Sequence, residues 1–151
     1  MRGVDHLDLV LSDLGRSLTF YRGLLQPLGW KTEGEIEGER GERVVYLTRR
    51  DGRTAISLRQ AQSPAAAGYD RYAIGLHHLC VFAKSRAQVD ERARWAAANG
   101  ATIESEPREY GYTPGYYAAF FHDPDGLKLE VLHRPRVRTL VWVLRGKPSV
   151  T

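Results

Sequence analysis

The chain has 151 residues, with 22 Lys and Arg against 18 Asp and Glu for a net charge of +4, and a single cysteine. That length fits one domain or two small modules sharing a core. The lone Cys80 excludes an intrachain disulfide or a cysteine-built zinc cluster, and no apolar run approaches the ~18 residues of a membrane span.

Three Trp, eight Tyr and four Phe argue against disorder. Much of the basic excess sits in Arg134, Arg136, Arg138, Arg145 and Lys147, which reads as a solvated tail and not as a nucleic-acid groove. The expectation is a soluble cytoplasmic protein with no nucleic-acid or membrane partner and a preference for anionic small ligands.

In chain order, the alternation of His6-Leu7-Asp8-Leu9-Val10 predicts a strand. Ser12-Asp13 then caps a helix whose Leu14, Leu18, Tyr21 and Leu25 share one face. An extended stretch follows near Trp30 to Ile36. Next come two strand-like runs, Val44 to Thr48 and Ala55 to Leu58, around the turn signal Asp51-Gly52. The small and proline-bearing stretch 61–75 reads as a linker.

After it the same order returns. His78-Leu79-Cys80-Val81-Phe82 repeats the first strand. Ser85 and Gln88 predict a capping box, Val89, Arg92, Ala93 and Ala96 follow, and Asn99-Gly100 closes the helix. An extended stretch near Thr102 to Glu106 precedes Tyr117 to Phe121, the turn Asp125-Gly126, and Leu127 to Val131. The prediction is an α+β fold of two βαβββ modules, residues 1–60 and 76–133, within one structural domain. A basic and apolar tail, 134–151, is expected to lay Leu140 to Leu144 on a sheet edge or a neighbouring subunit.

Strand parity sorts the polar residues. With Leu7, Leu9 and Leu11 packed on a helix, His6 and Asp8 take the other face; by the same count His78, Cys80, Ser57, Arg59, Lys128 and Glu130 do too. Two imidazoles and a carboxylate on one partly dry face are costly unless paired or metal-bound. His6, His78 and Glu130 match the two-histidine, one-carboxylate set that leaves open positions on a divalent ion; Fe, Mn, Zn, Ni and Co all suit it. His77 and His133 fall on the opposite parity and read as structural or surface residues, and His122 as exposed at the start of a turn. Cys80 reads as a small filler, since no base stands beside it.

The doubled order, the two strand histidines and the run Phe120-Phe121-His122-Asp123-Pro124-Asp125-Gly126-Leu127-Lys128-Leu129-Glu130 resemble the vicinal oxygen chelate superfamily of glyoxalases, bleomycin-resistance proteins, fosfomycin-modifying enzymes and extradiol dioxygenases. The resemblance spans about residues 4 to 133. It implies incurved mixed sheets around a divalent metal held by first- and last-strand residues, and a homodimer. Position by position it implies His6, His78 and Glu130 as ligands, with Ser57 at the fourth place: Ser57 follows His6 by 51 residues and Glu130 follows His78 by 52.

A serine there does not supply the proton-shuttling carboxylate of glyoxalase I. Phe120 stands where ring-cleaving members carry a tyrosine. The functional expectation is a metal-dependent dioxygenase-like or lyase/isomerase-like enzyme on a small vicinal-oxygen substrate. Ser57, Arg59, Tyr46, Tyr112, Tyr117, Phe120 and Lys128 are the candidate substrate contacts. The alternative is a metal-free antibiotic-binding protein of the bleomycin-resistance type.

Overall fold

In a computed structural model the chain is described over residues 3–63 and 68–135. The predicted tail packing at Leu140 to Leu144 lies outside these residues.

The first module runs β1 (His6–Leu11), α1 (Leu14–Leu25), a 3-10 turn (Gln26–Leu28), β2 (Trp30–Glu37), β3 (Arg43–Arg49) and β4 (Ala55–Gln60). The second runs β5 (Leu79–Phe82), α2 (Arg86–Ala98), β6 (Thr102–Tyr110), β7 (Tyr116–His122) and β8 (Lys128–His133). Each builds a four-stranded mixed sheet of the same topology, ordered β1-β4-β3-β2 and β5-β8-β7-β6. In both, the first and last strands pair in parallel and the others antiparallel.

Local chemistry explains the boundaries. Asp13 caps α1 by accepting a bond from the Arg16 amide at 2.9 Å, and Ser85 caps α2 by accepting from the Gln88 amide at 3.2 Å. The predicted capping box is displaced by one residue: the Gln88 side chain accepts from the Lys84 amide at 2.8 Å, one position upstream of the cap. Gly100, at φ +95°, closes α2 in the left-handed conformation that a side chain disfavours. β6 runs four residues past its predicted end and carries Pro107; it is an edge strand, and its register shifts between Ser105 and Arg108. An edge with an irregular ladder is where a strand tolerates a missing N–H.

The two sheets meet through their helix-covered faces. Leu9, Leu11, Leu18 and Ile56 of the first module share one buried cluster with Val81, Val89, Phe121 and Val131 of the second. The helices touch directly, with Phe20 and Trp95 rings 5.6 Å apart and Arg92 donating to the Gly23 carbonyl at 2.8 Å. Tyr21, buried on α1, donates to Asp123 in the β7–β8 turn at 2.8 Å. Burial pushes the Tyr21 phenol well up, and the Asp123 carboxylate beside it adds to the effect. Asp123 in turn accepts from the Asp125 and Leu127 amides, so the Asp-Pro-Asp-Gly turn is built around one buried carboxylate.

Because both sheets spend their apolar faces on a common core, both polar faces look away from it. Val10, Ile36 and Phe82 are exposed on these faces. Among the described residues no helix is long and apolar enough to cross a membrane.

Candidate functional site

The polar face of the second sheet holds a cavity of about 440 Å³. Its floor is Glu130, on the inner strand β8 and only 2% exposed. Glu130 stands opposite Cys80 on one side and Phe120 on the other. The Tyr116 phenol donates to one Glu130 oxygen, and the other lies 3.2 Å from His78 Nε2. Cys80 beside Glu130 is exposed as a residue, while desolvation of its thiol and the neighbouring carboxylate push the thiol above the usual range. Tyr116 is driven up by its own burial and by its bond to the same carboxylate, so it remains a proton donor to Glu130 at neutral pH.

His77 joins this group, contrary to its predicted structural or surface role. β5 starts at Leu79, so the strand alternation used to sort His77 from His78 does not reach either residue. The two rings meet edge-on with their Nδ1 atoms 2.8 Å apart, and both face the cavity. At that contact one ring donates and the other accepts. Burial depresses the His77 pKa, and the neighbouring His78 lowers it further.

The walls are aromatic. Tyr110 and Tyr112 stack at 5.4 Å with 5° between planes, and Phe120 meets Tyr110 edge-on at 5.3 Å. At one end Lys128, 9% exposed, donates to Glu104 at 2.6 Å while lying 4.7 Å over the Phe120 ring. Glu104 also accepts from Arg71 and from His122 Nε2. Burial alone would raise the Glu104 carboxyl, but the bonds from Lys128, Arg71 and His122 outweigh it and bring the pKa down to about 2. His122, expected to be exposed, is half-buried in this network.

The predicted site residues divide. His78, Glu130, Tyr112, Phe120 and Lys128 line the cavity. Tyr117 points to the helix side, where its hydroxyl donates to Asp90 of α2 at 2.7 Å. His6, Ser57, Arg59 and Tyr46 belong to the other sheet. There His6 bonds Asp5 at 2.9 Å and is raised by that bond, while Arg59 bonds Glu42 at 2.5 Å and lies 3.3 Å from Asp8. Ser57 is fully buried and its hydroxyl has no partner among the described residues.

The equivalence of Ser57 and Glu130 holds in the ladders: Asp8 faces Ser57 and Ser57 faces Tyr46, as Cys80 faces Glu130 and Glu130 faces Phe120. Among the described residues no three His, Cys, Asp or Glu side chains are grouped to hold a metal ion. A single chain thus offers an imidazole and a buried carboxylate, the donor types a divalent ion takes but one donor short of a facial set.

Comparison with known proteins follows the same lines. The family model described as "Glyoxalase/Bleomycin resistance protein/Dioxygenase superfamily" matches residues 3–131. The uncharacterized protein YqjT of Bacillus subtilis (strain 168) is 30% identical over 129 residues, which are 84% of this chain and 95% of that protein. A glyoxylase/bleomycin resistance protein/dioxygenase domain from Frankia sp. EAN1pec superposes with a TM-score of 0.72 at 25% identity, over 87% of this chain and 97% of that one. A glyoxalase family protein from Enterococcus faecalis gives 0.64 at 26% identity, over 87% and 97%.

Proposed function

Because the chain belongs to the Glyoxalase/Bleomycin resistance protein/Dioxygenase superfamily, we propose that it is a divalent-metal-dependent enzyme acting, as a homodimer, on a small molecule with neighbouring oxygens. The reaction is dioxygenase-like or lyase/isomerase-like. The observation that carries this reading is the buried Glu130 carboxylate beside His78 Nε2 on the floor of an aromatic cavity. A carboxylate so deep is costly to keep unless an ion or strong donors compensate it.

His78 and Glu130 of one chain would hold the ion together with His6 of a second copy; Fe, Mn, Zn, Ni and Co are compatible with that donor set. When bound, the ion supplies Lewis-acid polarisation of substrate oxygens. The chain's own residues do the rest. Tyr116 fixes the orientation of Glu130 by donating to it. Tyr110, Tyr112 and Phe120 exclude water and receive the apolar part of the substrate.

Support for the dimer comes from the shared core, which leaves both polar faces uncovered with Val10, Ile36 and Phe82 exposed on them. In the proposed dimer the first sheet of one copy would lie over the second sheet of the other, covering both faces, and His6 would supply the missing donor.

The test is metal analysis of tag-free protein after reconstitution, with His6→Ala and Glu130→Ala variants. Each variant alone loses the metal while remaining folded. Refolding equal amounts of the two variants together restores about a quarter of the sites, because half of the randomly paired dimers are mixed and one of the two shared sites in each mixed dimer has all three donors. Metal retained by either single variant, or no recovery in the mixture, contradicts the shared site.

A second reading is a metal-free binding protein of the bleomycin-resistance type. What favours it is that Tyr116 already donates to Glu130 while His77 and His78 pair with each other. Wild-type protein that takes up no transition metal on reconstitution selects this reading.

A further inference from the structure

Two cations face the cavity, and they are not in the same state. Lys128 is committed to Glu104, which in addition takes Arg71 and His122. Arg108, on β6, lies with its guanidinium 4.7 Å over the Tyr110 ring and, among the described residues, forms no ion pair with a carboxylate. A guanidinium has five N–H donors in a planar fork suited to bidentate capture of a carboxylate. Here that fork rests on one member of a stacked tyrosine pair at the edge of a ring-lined hollow.

The placement also sets a direction. Arg108 faces Ala118, which faces Leu132, two residues beyond Glu130 on β8. Two strand spacings and a two-residue step put the Arg108 and Glu130 backbones roughly 12 Å apart. Glu130 repels a second negative charge, so an anionic group is directed to the Arg108 end and neutral oxygens to the His78–Glu130 end.

We infer that the cavity takes a small aromatic carboxylate, with its ring against Tyr110 and Phe120 and its carboxylate on the Arg108 guanidinium. This rests on the cavity being the ligand site and narrows the substrate class of that site. Arg108 is then the residue that selects acids over neutral rings of the same shape.

The experiment is a 1H–15N NMR titration of the full chain with benzoate and with benzamide, each with and without EDTA. Benzoate binds about tenfold more tightly than benzamide, the scale of one charge-assisted hydrogen-bonded pair. Arg108→Met removes the preference and leaves benzamide binding in place, and Arg108→Lys keeps part of it. Equal affinities, or binding of neither probe at millimolar concentration, overturn the inference. So does a preference that EDTA abolishes, which puts the carboxylate on a metal, or one lost in Lys128→Met and kept in Arg108→Met. The metal analyses of Glu130→Ala are read separately, so the ligand class and the metal dependence can fail independently.

Discussion

Ser57 and Glu130 occupy the same rung of their two sheets, one a buried hydroxyl with no partner among the described residues and the other a buried carboxylate held by Tyr116 and His78. The duplicated backbone thus carries two potential polar floors, and only the second is furnished for chemistry. Replacing Ser57 with Glu puts a charge at a fully buried position, and a buried charge left uncompensated costs about 3 kcal/mol or more. The expected outcome is a Ser57→Glu variant with a Tm several degrees lower in EDTA, regained on adding Zn or Mn as the new carboxylate and His6 gain an ion to share. Thermal melts with and without the cation check it.

Tyr116 holds the far oxygen of Glu130. Tyr116→Phe leaves that oxygen buried without its donor, at a cost of about 1–3 kcal/mol. Burial and Glu130 push the Tyr116 phenol up, so it ionises well after ordinary tyrosines. An ultraviolet alkaline titration of the wild type therefore counts Tyr116 with Tyr21 among the late phenols, and the variant has one fewer of them.

Glu104 sets an acid-side dependence. Its carboxyl is depressed from 4.5 to about 2 in the folded chain, so its contribution is fully present above pH 4.5 and is lost as pH falls towards 2. Partial exposure keeps that contribution modest. Glu104→Gln consequently melts below the wild type at pH 7, and the difference shrinks as the pH is taken from 4.5 towards 2. A pH series of melting curves for both proteins reads this directly.

Gly23 lies in the middle of α1, where alanine would ordinarily stabilise by up to about 1 kcal/mol. A Cβ at this position would sit 2.1 Å from the Trp95 ring. Overpacking costs typically ~1–3 kcal/mol, so the clash outweighs the propensity gain. Gly23→Ala is expected to be destabilised in urea unfolding, and Trp95→Ala in the Gly23→Ala background to relieve the clash.

The repeat made most of the fold legible. Leu14, Leu18, Tyr21 and Leu25 were readable as a buried face from spacing alone, and all four are buried. That Glu130 lies on the polar face of β8 followed from parity and from the turn before that strand, whereas His78, which precedes β5, was reached through its place in the repeat. What parity could not reach lay outside regular strands. His77 precedes β5, and Arg108 follows the irregular stretch of β6 around Pro107, where counting by twos fails. Glu104 was hidden for a different reason, since its partners Arg71, His122 and Lys128 come from three separate segments. The separation of His6 from the cavity depends on how two modules dock. Periodicity shows which face of a strand is apolar, not whether two apolar faces meet within one chain.

The buried tie from Tyr21 to Asp123 crosses between the repeats, and α1 and α2 complete each other's cover. Produced as two polypeptides, the repeats would each present a greasy helix-bearing surface and half of that tie. Co-expressed fragments should find one another and reconstitute the whole, whereas either alone should aggregate. Duplication here has yielded halves alike in plan but no longer independent.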